Sequence, residues 1–135
     1  MREGDAIPTV ERLITQDGIE RYAEASGDFN PIHVDPDFAA KSQFGRTIAH
    51  GMMVAATVSE AMTAAFQKDW LEGGKLKLRF KAPVFPGDVV TAFGRAKSIR
   101  ERNGKDEIAC SVEVRKQNGE TAIIGEATVS VPLLR

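Results

Sequence analysis

The chain has 135 residues, 42% hydrophobic and 27% charged, which fits one globular domain over 1–135 and excludes a disordered polymer. Lys and Arg number 18 against 19 Asp and Glu, so the net charge of −1 lacks the basic excess of a general nucleic-acid or anionic-membrane binder. One cysteine and two histidines exclude an intrachain disulfide and argue against a structural zinc site.

Met1-Arg2-Glu3-Gly4-Asp5 is polar, without the apolar stretch of a signal peptide, and a cytoplasmic protein is expected. Thr9 to Ile14 mixes β-branched and apolar residues and reads as a first strand. Asp17 with Glu20 three residues on resembles a capping box, which makes Asp17 the expected N-cap of a helix over 18–26. Ile19, Tyr22, Ala23 and Ser26 follow at helical spacing, and Gly27 ends the helix. The segment from Asp28 to Asp35 carries Pro31 and turn-forming Asp and Asn, and predicts a loop. Asp35-Pro36 starts a second helix that ends near Lys41.

Gly51 to Phe66 is the longest helical segment. It is interrupted by Thr57, Ser59, Glu60 and Thr63, so it is too short and too polar to span a bilayer. Its apolar residues lie nearly all round, which predicts a helix buried on all sides by a sheet wrapped about it. The second half supplies that sheet. Lys75 to Ala82 alternates strictly, with Leu76, Leu78, Phe80 and Ala82 on one face and Lys75, Lys77, Arg79 and Lys81 on the other. Pro86-Gly87-Asp88 is a turn. Strands follow at 89–101, 107–116 and 121–131, and Asn103-Gly104 and Asn118-Gly119 predict hairpin turns with both central residues at positive φ. One long helix against an antiparallel meander is an α+β domain.

The segment with chemistry runs from Tyr22 to Asp35. Asp28 and His33 stand five residues apart across a stretch stiffened by Asn30 and Pro31. A carboxylate and an imidazole converging on one water can share its proton transfers. Taken alone, the same spacing fits a loop aspartate and an ordinary surface histidine.

The longer pattern is more specific. Ser26-Gly27-Asp28-Phe29-Asn30-Pro31-Ile32-His33-Val34-Asp35 resembles the MaoC-like dehydratase family, the R-specific enoyl-CoA hydratases. The likeness continues through Phe44-Gly45-Arg46-Thr47-Ile48-Ala49-His50-Gly51-Met52-Met53 and Phe80-Lys81-Ala82-Pro83-Val84-Phe85-Pro86-Gly87-Asp88, and spans residues 8 to 132. The resemblance implies a hot-dog fold, an antiparallel sheet wrapped around a long central helix, and a homodimer joined edge to edge. It implies Asp28 and His33 as the catalytic pair. It implies reversible addition of water to a trans-2-enoyl thioester, giving the R-3-hydroxyacyl product, with coenzyme A as carrier. No metal and no separate cofactor are expected, since coenzyme A belongs to the substrate.

Conjugate addition places negative charge on the thioester oxygen, which needs preorganised donors. The N–H of Gly51, at the start of the long helix, is the expected donor, because the first N–H groups of a helix are unpaired and glycine admits close approach. Which of Asp28 and His33 is the base stays open. His50 is expected in a supporting role. Ser59 lies about 12 Å along the helix from Gly51. It is read either as a brace for the active-site loop or as a satisfied core hydroxyl. Substrate contacts are assigned to Asn30, Ser59, Phe29, Met52, Met53 and Lys81; Phe29, Phe38, Phe44, Met52 and Met53 are candidates for the acyl-pocket wall, although each reads first as core packing. The stripe Lys75, Lys77, Arg79 and Lys81 is either a solvated strand face or a partial contact for coenzyme A phosphates. Cys110, in step with Ile108, Val112 and Val114, is a packing residue. Alternatives are dehydration of R-3-hydroxyacyl thioesters on coenzyme A or acyl carrier protein, a hot-dog thioesterase in which Glu60 is the sole acidic group on the helix, and a non-catalytic acyl-CoA binding subunit.

Overall fold

The computed structural model describes residues 1–133. In chain order its elements are β1 (Val10–Leu13), α1 (Gln16–Ser26), α2 (Pro31–Val34), α3 (Pro36–Ala40), α4 (Gly51–Phe66), α5 (Lys68–Gly73), β2 (Lys75–Phe80), β3 (Val89–Arg102), β4 (Lys105–Lys116) and β5 (Thr121–Pro132). One five-stranded antiparallel sheet has the order β1-β3-β4-β5-β2. The meander β3-β4-β5 forms its middle, and the two early strands close its edges. The expected α+β architecture of a sheet around a long helix is present.

Period-two alternation builds the inner face. Ile108, Cys110, Val112 and Val114 of β4 are buried, opposite Val129, Ala127, Gly125 and Ile123 of β5. Helix α4 lays Val54, Ala55, Val58, Ala61 and Met62 against this face. A flat sheet could not follow a helix. Across its middle runs the row Gly94–Val112–Gly125–Leu78, with a glycine on each side of Val112. A Cβ on Gly125 would lie 2.2 Å from the Lys77 carbonyl oxygen, and one on Gly94 would lie 2.4 Å from that of Ser111. The missing side chains let neighbouring strands close up there and the sheet curl. Cys110 is buried in this layer, and that burial, with the charge of Glu126, pushes its thiol up to about 11, as suits a packing residue.

Several local expectations are corrected. The N-cap of α1 is Thr15, not Asp17: Gly18 N–H donates to Thr15 Oγ1 at 2.9 Å, and Asp17 sits in the first turn instead. The expected loop over 28–35 contains the helical turn α2, because Asn30 caps it and Pro31 holds the first helical position. Helix α5 has no counterpart in the reading of the sequence. Its six residues are too few for a periodic signal, and it is anchored by one buried side chain, Trp70. The strand expected to reach Ala82 ends at Phe80. Asn103 (φ 52°) and Gly104 (φ 77°) form the expected hairpin turn, but at the other hairpin only Gly119 (φ 87°) is left-handed. There Lys116 N–H donates to the Glu120 carbonyl and the register shifts after Val114, which makes the connection longer by a bulge. Helix α4 is also less enclosed than its composition suggests: Met52 is 63% exposed, and Ala56 and Ala64 are exposed along the same side. One sheet covers one side of a helix. Among the described residues no helix is long and apolar enough to cross a membrane.

A buried ion pair fixes the loop between β2 and β3. Lys116 Nζ lies 3.0 Å from Asp88 Oδ2 and donates to the Pro83 carbonyl at 3.1 Å. Burial pushes the Asp88 carboxyl up, but hydrogen bonds from the Gln117 amide and the Phe85 N–H, together with the Lys116 ammonium, outweigh it and hold the carboxyl below its ordinary value. A depressed folded value means stability that is present at neutral pH and lost as pH falls through that value. Lys116→Ala, which leaves Asp88 unpaired, is expected to cost about 3–5 kcal/mol in urea denaturation at pH 7. The cost is expected to shrink in acid, and an equal cost at both pH values would contradict this account.

Candidate active site

The site is built where three helix ends meet. Gly27, at φ 78°, closes α1 and turns the chain toward Asp28. The Asn30 side chain then accepts the Ile32 N–H at 3.1 Å, and Pro31 sets the first helical φ. This capped turn places His33 two residues after Pro31 with its ring facing inward. The third end is the start of α4, with His50 as N-cap and Gly51 as first residue.

His33 is gripped at both ends. Gln16 Nε2 donates to its carbonyl at 2.9 Å, and Thr47 Oγ1 donates to Gln16 Oε1 at 2.8 Å. Its ring Nδ1 lies 2.8 Å from the Ile48 carbonyl oxygen. A carbonyl only accepts, so Nδ1 carries a proton, and in the neutral ring the lone pair is on Nε2. Asp28 is exposed, and its Oδ1 accepts the Asn30 N–H at 3.2 Å. Asp28, His33 and His50 each present one ligand-capable atom within 4.8 Å of the others, so the two residues expected to act together do stand together. Among the described residues these three could hold a cation. However, the His33 and His50 rings are stacked, with centroids 3.9 Å apart and planes at 25°, so their in-plane lone pairs run alongside each other instead of converging on an ion.

Two cavities of about 300 Å³ each adjoin at this point. One is mostly apolar, with His33, Phe44, Val54, Val84 and Ile123 in its wall. The other is lined by Tyr22, Ser26, Asp28, His50 and Met52. Gly51 and Phe80 border both. The first N–H groups of α4, that of Gly51 included, have no acceptor one turn earlier in the helix and mark its positive end. A Cβ on Gly51 would lie 3.0 Å from Phe80 Cε1, so a side chain there would crowd the seam between the cavities.

The other expected contacts divide. Met52 and Lys81 line the cavities. Asn30 is a helix cap that orients His33 and lines neither. Ser59 accepts Trp70 Nε1–H at 2.9 Å, so it braces α5 and not the active-site loop. Met53 packs on the core beside Gly18, and Phe29 and Phe38 are exposed outside both cavities. Of the basic stripe, Lys75, Lys77 and Arg79 occupy the outer sheet face, where Lys77 is opposite Glu126. Lys81 escapes that parity because β2 has ended and the chain bends, with both Lys81 and Ala82 N–H donating to the Ala122 carbonyl. Sequence reasoning missed Gln16, Tyr22 and the Ile48 carbonyl. Gln16 and Ile48 reach the site from other segments or through the backbone, and Tyr22, although inside the segment with chemistry, was read only as a helix position.

Comparison with known proteins identifies the family. The family described as MaoC like domain matches residues 2–122. An (R)-specific enoyl-CoA hydratase of Aeromonas caviae is 38% identical over 115 residues, 84% of each chain. A mitochondrial 3-hydroxyacyl-[acyl-carrier-protein] dehydratase of Arabidopsis thaliana is 32% identical over 135 residues, covering 99% of this chain and 80% of that one. The solved (R)-hydratase from A. caviae superposes with a TM-score of 0.82 at 32% identity, over 98% of both chains.

Removal of the α2 cap by Asn30→Ala is expected to cost about 1 kcal/mol in urea denaturation, and Asn30→Asp to restore it. Equal stability of the two variants would show that the cap does not hold this turn.

Proposed function

The chain belongs to the MaoC-like domain family, and from that premise we propose that it is a hydro-lyase adding water to trans-2-enoyl-CoA to give R-3-hydroxyacyl-CoA. The observation that carries the reading is the approach of Asp28 and His33 within 4.8 Å, beside the free N–H groups at the start of α4 and the mouth of an apolar cavity. The acyl chain lies in that cavity. The thioester oxygen faces the Gly51 N–H, which stabilises the charge developing there.

The Nδ1 contact of His33 supports its ring as the base. Its Nε2 takes a proton from water while the Asp28 carboxylate orients the other O–H. The water oxygen bonds to C3 and the C2–C3 π electrons move toward the carbonyl, forming an enolate. The proton held by the imidazolium then returns to C2, so water is added and the site is regenerated. Run backwards, the same steps dehydrate an R-3-hydroxyacyl thioester, in keeping with the dehydratase named among the relatives. The chemistry requires no group beyond the chain and the coenzyme A of the substrate. Of the stripe, Lys81 alone lines this cavity, which supports it as the contact for a coenzyme A phosphate.

A second copy of the chain completes the molecule. Strand β2 is a sheet edge with free backbone groups, and its inward apolar residues Leu76 and Phe80 stay 38% and 55% exposed. Pairing of two such edges covers them and shelters the seam that Phe80 borders.

Asp28→Asn and His33→Ala are each expected to slow crotonyl-CoA hydration about 10²-fold or more, with the circular dichroism spectrum unchanged. Near-normal turnover by either variant, or release of free thiol in place of hydration, would overturn the reading. Lys81→Ala is expected to raise KM for acyl-CoA and weaken its salt dependence while Lys77→Ala does neither. Equal effects would return Lys81 to the solvated face.

A further inference from the structure

His50 touches both members of the Asp28–His33 pair. Its Nε2 lies 2.9 Å from the Asp28 carbonyl oxygen, and its ring stacks on that of His33 at 3.9 Å. It is the N-cap residue of α4, yet its side chain makes no capping hydrogen bond and turns sideways to reach these two neighbours. The ring is 2% exposed, with Tyr22 packed on it from α1 at 4.7 Å and 55°. Because a carbonyl can only accept, the His50 proton is on Nε2, and Nδ1 is left bare. Among the described residues that atom is buried without a partner. A buried acceptor without a partner is destabilising, and an apolar ring would fill the same space without that cost. The opposite edge of the ring is what the site gains.

We propose that His50 is a positioning residue that ties the Asp28 backbone to the face of the His33 ring, holding carboxylate and imidazole within reach of one water. The proposal rests on the hydration reading above. Asp28 needs such a tie because residues 24–31 are exposed. Its remaining hydrogen bonds are local, from its N–H to Ser26 Oγ and from the Asn30 N–H to its Oδ1. The His50 bond spans 22 residues and connects this exposed segment to the buried start of α4. Stacking fixes the plane of the His33 ring, and the Ile48 carbonyl fixes its rotation. Gly51 follows His50 in the chain, so one residue sets the spacing between the oxyanion donor, the base and the carboxylate. The ionisable groups facing His50 are Tyr22, Asp28 and His33.

Two variants separate positioning from packing. His50→Phe keeps a ring and loses the donor, while His50→Gln keeps an amide N–H near the Nε2 position. His50→Phe is expected to lower kcat for crotonyl-CoA about 10- to 100-fold with KM nearly unchanged, and His50→Gln to recover much of the loss. Wild-type kcat in His50→Phe, or equal losses in both variants, would overturn the proposal. A second measurement needs no variant and no activity. The chain has two histidines, and nitrogen-15 spectra at alkaline pH, where imidazole is neutral, report both tautomers. The expected pair is Nε2–H for His50 and Nδ1–H for His33, and a proton on Nδ1 of His50 would overturn the tie to Asp28. If the wild-type chain fails to hydrate enoyl thioesters, the functional reading falls while these spectra still decide the contact.

Discussion

Everything at the site hangs on where helix α4 begins. Phe80 stands close against its first residue, Gly51, where a side chain would be crowded, and its cap residue is buried because α1 and α2 close over it. The helix is held there by its apolar side, pressed into a sheet that two glycines on either side of Val112 allow to bend. Burial of large apolar side chains contributes about 1.5–3 kcal/mol each, far more than any single contact at the site. The helix therefore acts as a fixed post, and Asp28, His33 and His50 are arranged around its positive end.

The post is rigid, but what surrounds it is held by small local devices. Thr15 caps α1, Asn30 caps α2 and Asp35 caps α3, so three short helices follow one another with almost no loose chain between them. Each device is worth only about 1 kcal/mol, yet together they fix the direction of the His33 side chain. Bonds from distant segments then complete the arrangement: Gln16, itself held by Thr47, donates to the His33 carbonyl, and the Ile48 carbonyl accepts from its Nδ1. The exposed Asp28 is the least supported of the reactive groups, which is why a buried histidine bound to its backbone matters.

The asymmetry of the two cavities follows from the same geometry. One lies between α4 and the sheet with a mostly apolar wall, and the other lies over the helix end, where the exposed Asp28 enters its wall. A thioester with an apolar tail and a polar carrier matches that division. Phe80 stands at the boundary on an edge strand, so the boundary is only as firm as the cover that edge receives.

Much of this was legible in the sequence, for physical reasons that differ by region. Period-two alternation in β4, near-uniform apolarity from Gly51 to Phe66 and the Asn-Gly turn at 103–104 are local signals that burial and backbone stereochemistry impose, and they determined the α+β arrangement and the bounds of α4. The pattern around Asp28, Asn30 and His33 likewise singled out two side chains that the fold brings together. Only the tertiary structure decided the rest. It made Thr15 the cap and not Asp17, tied Ser59 to Trp70, turned Lys81 out of its stripe and left one side of α4 open. It alone showed that His50 stacks on His33 while donating to Asp28. These contacts join residues far apart in the chain or run through backbone carbonyls. A linear pattern records what each residue can do, whereas folding decides which partner it meets.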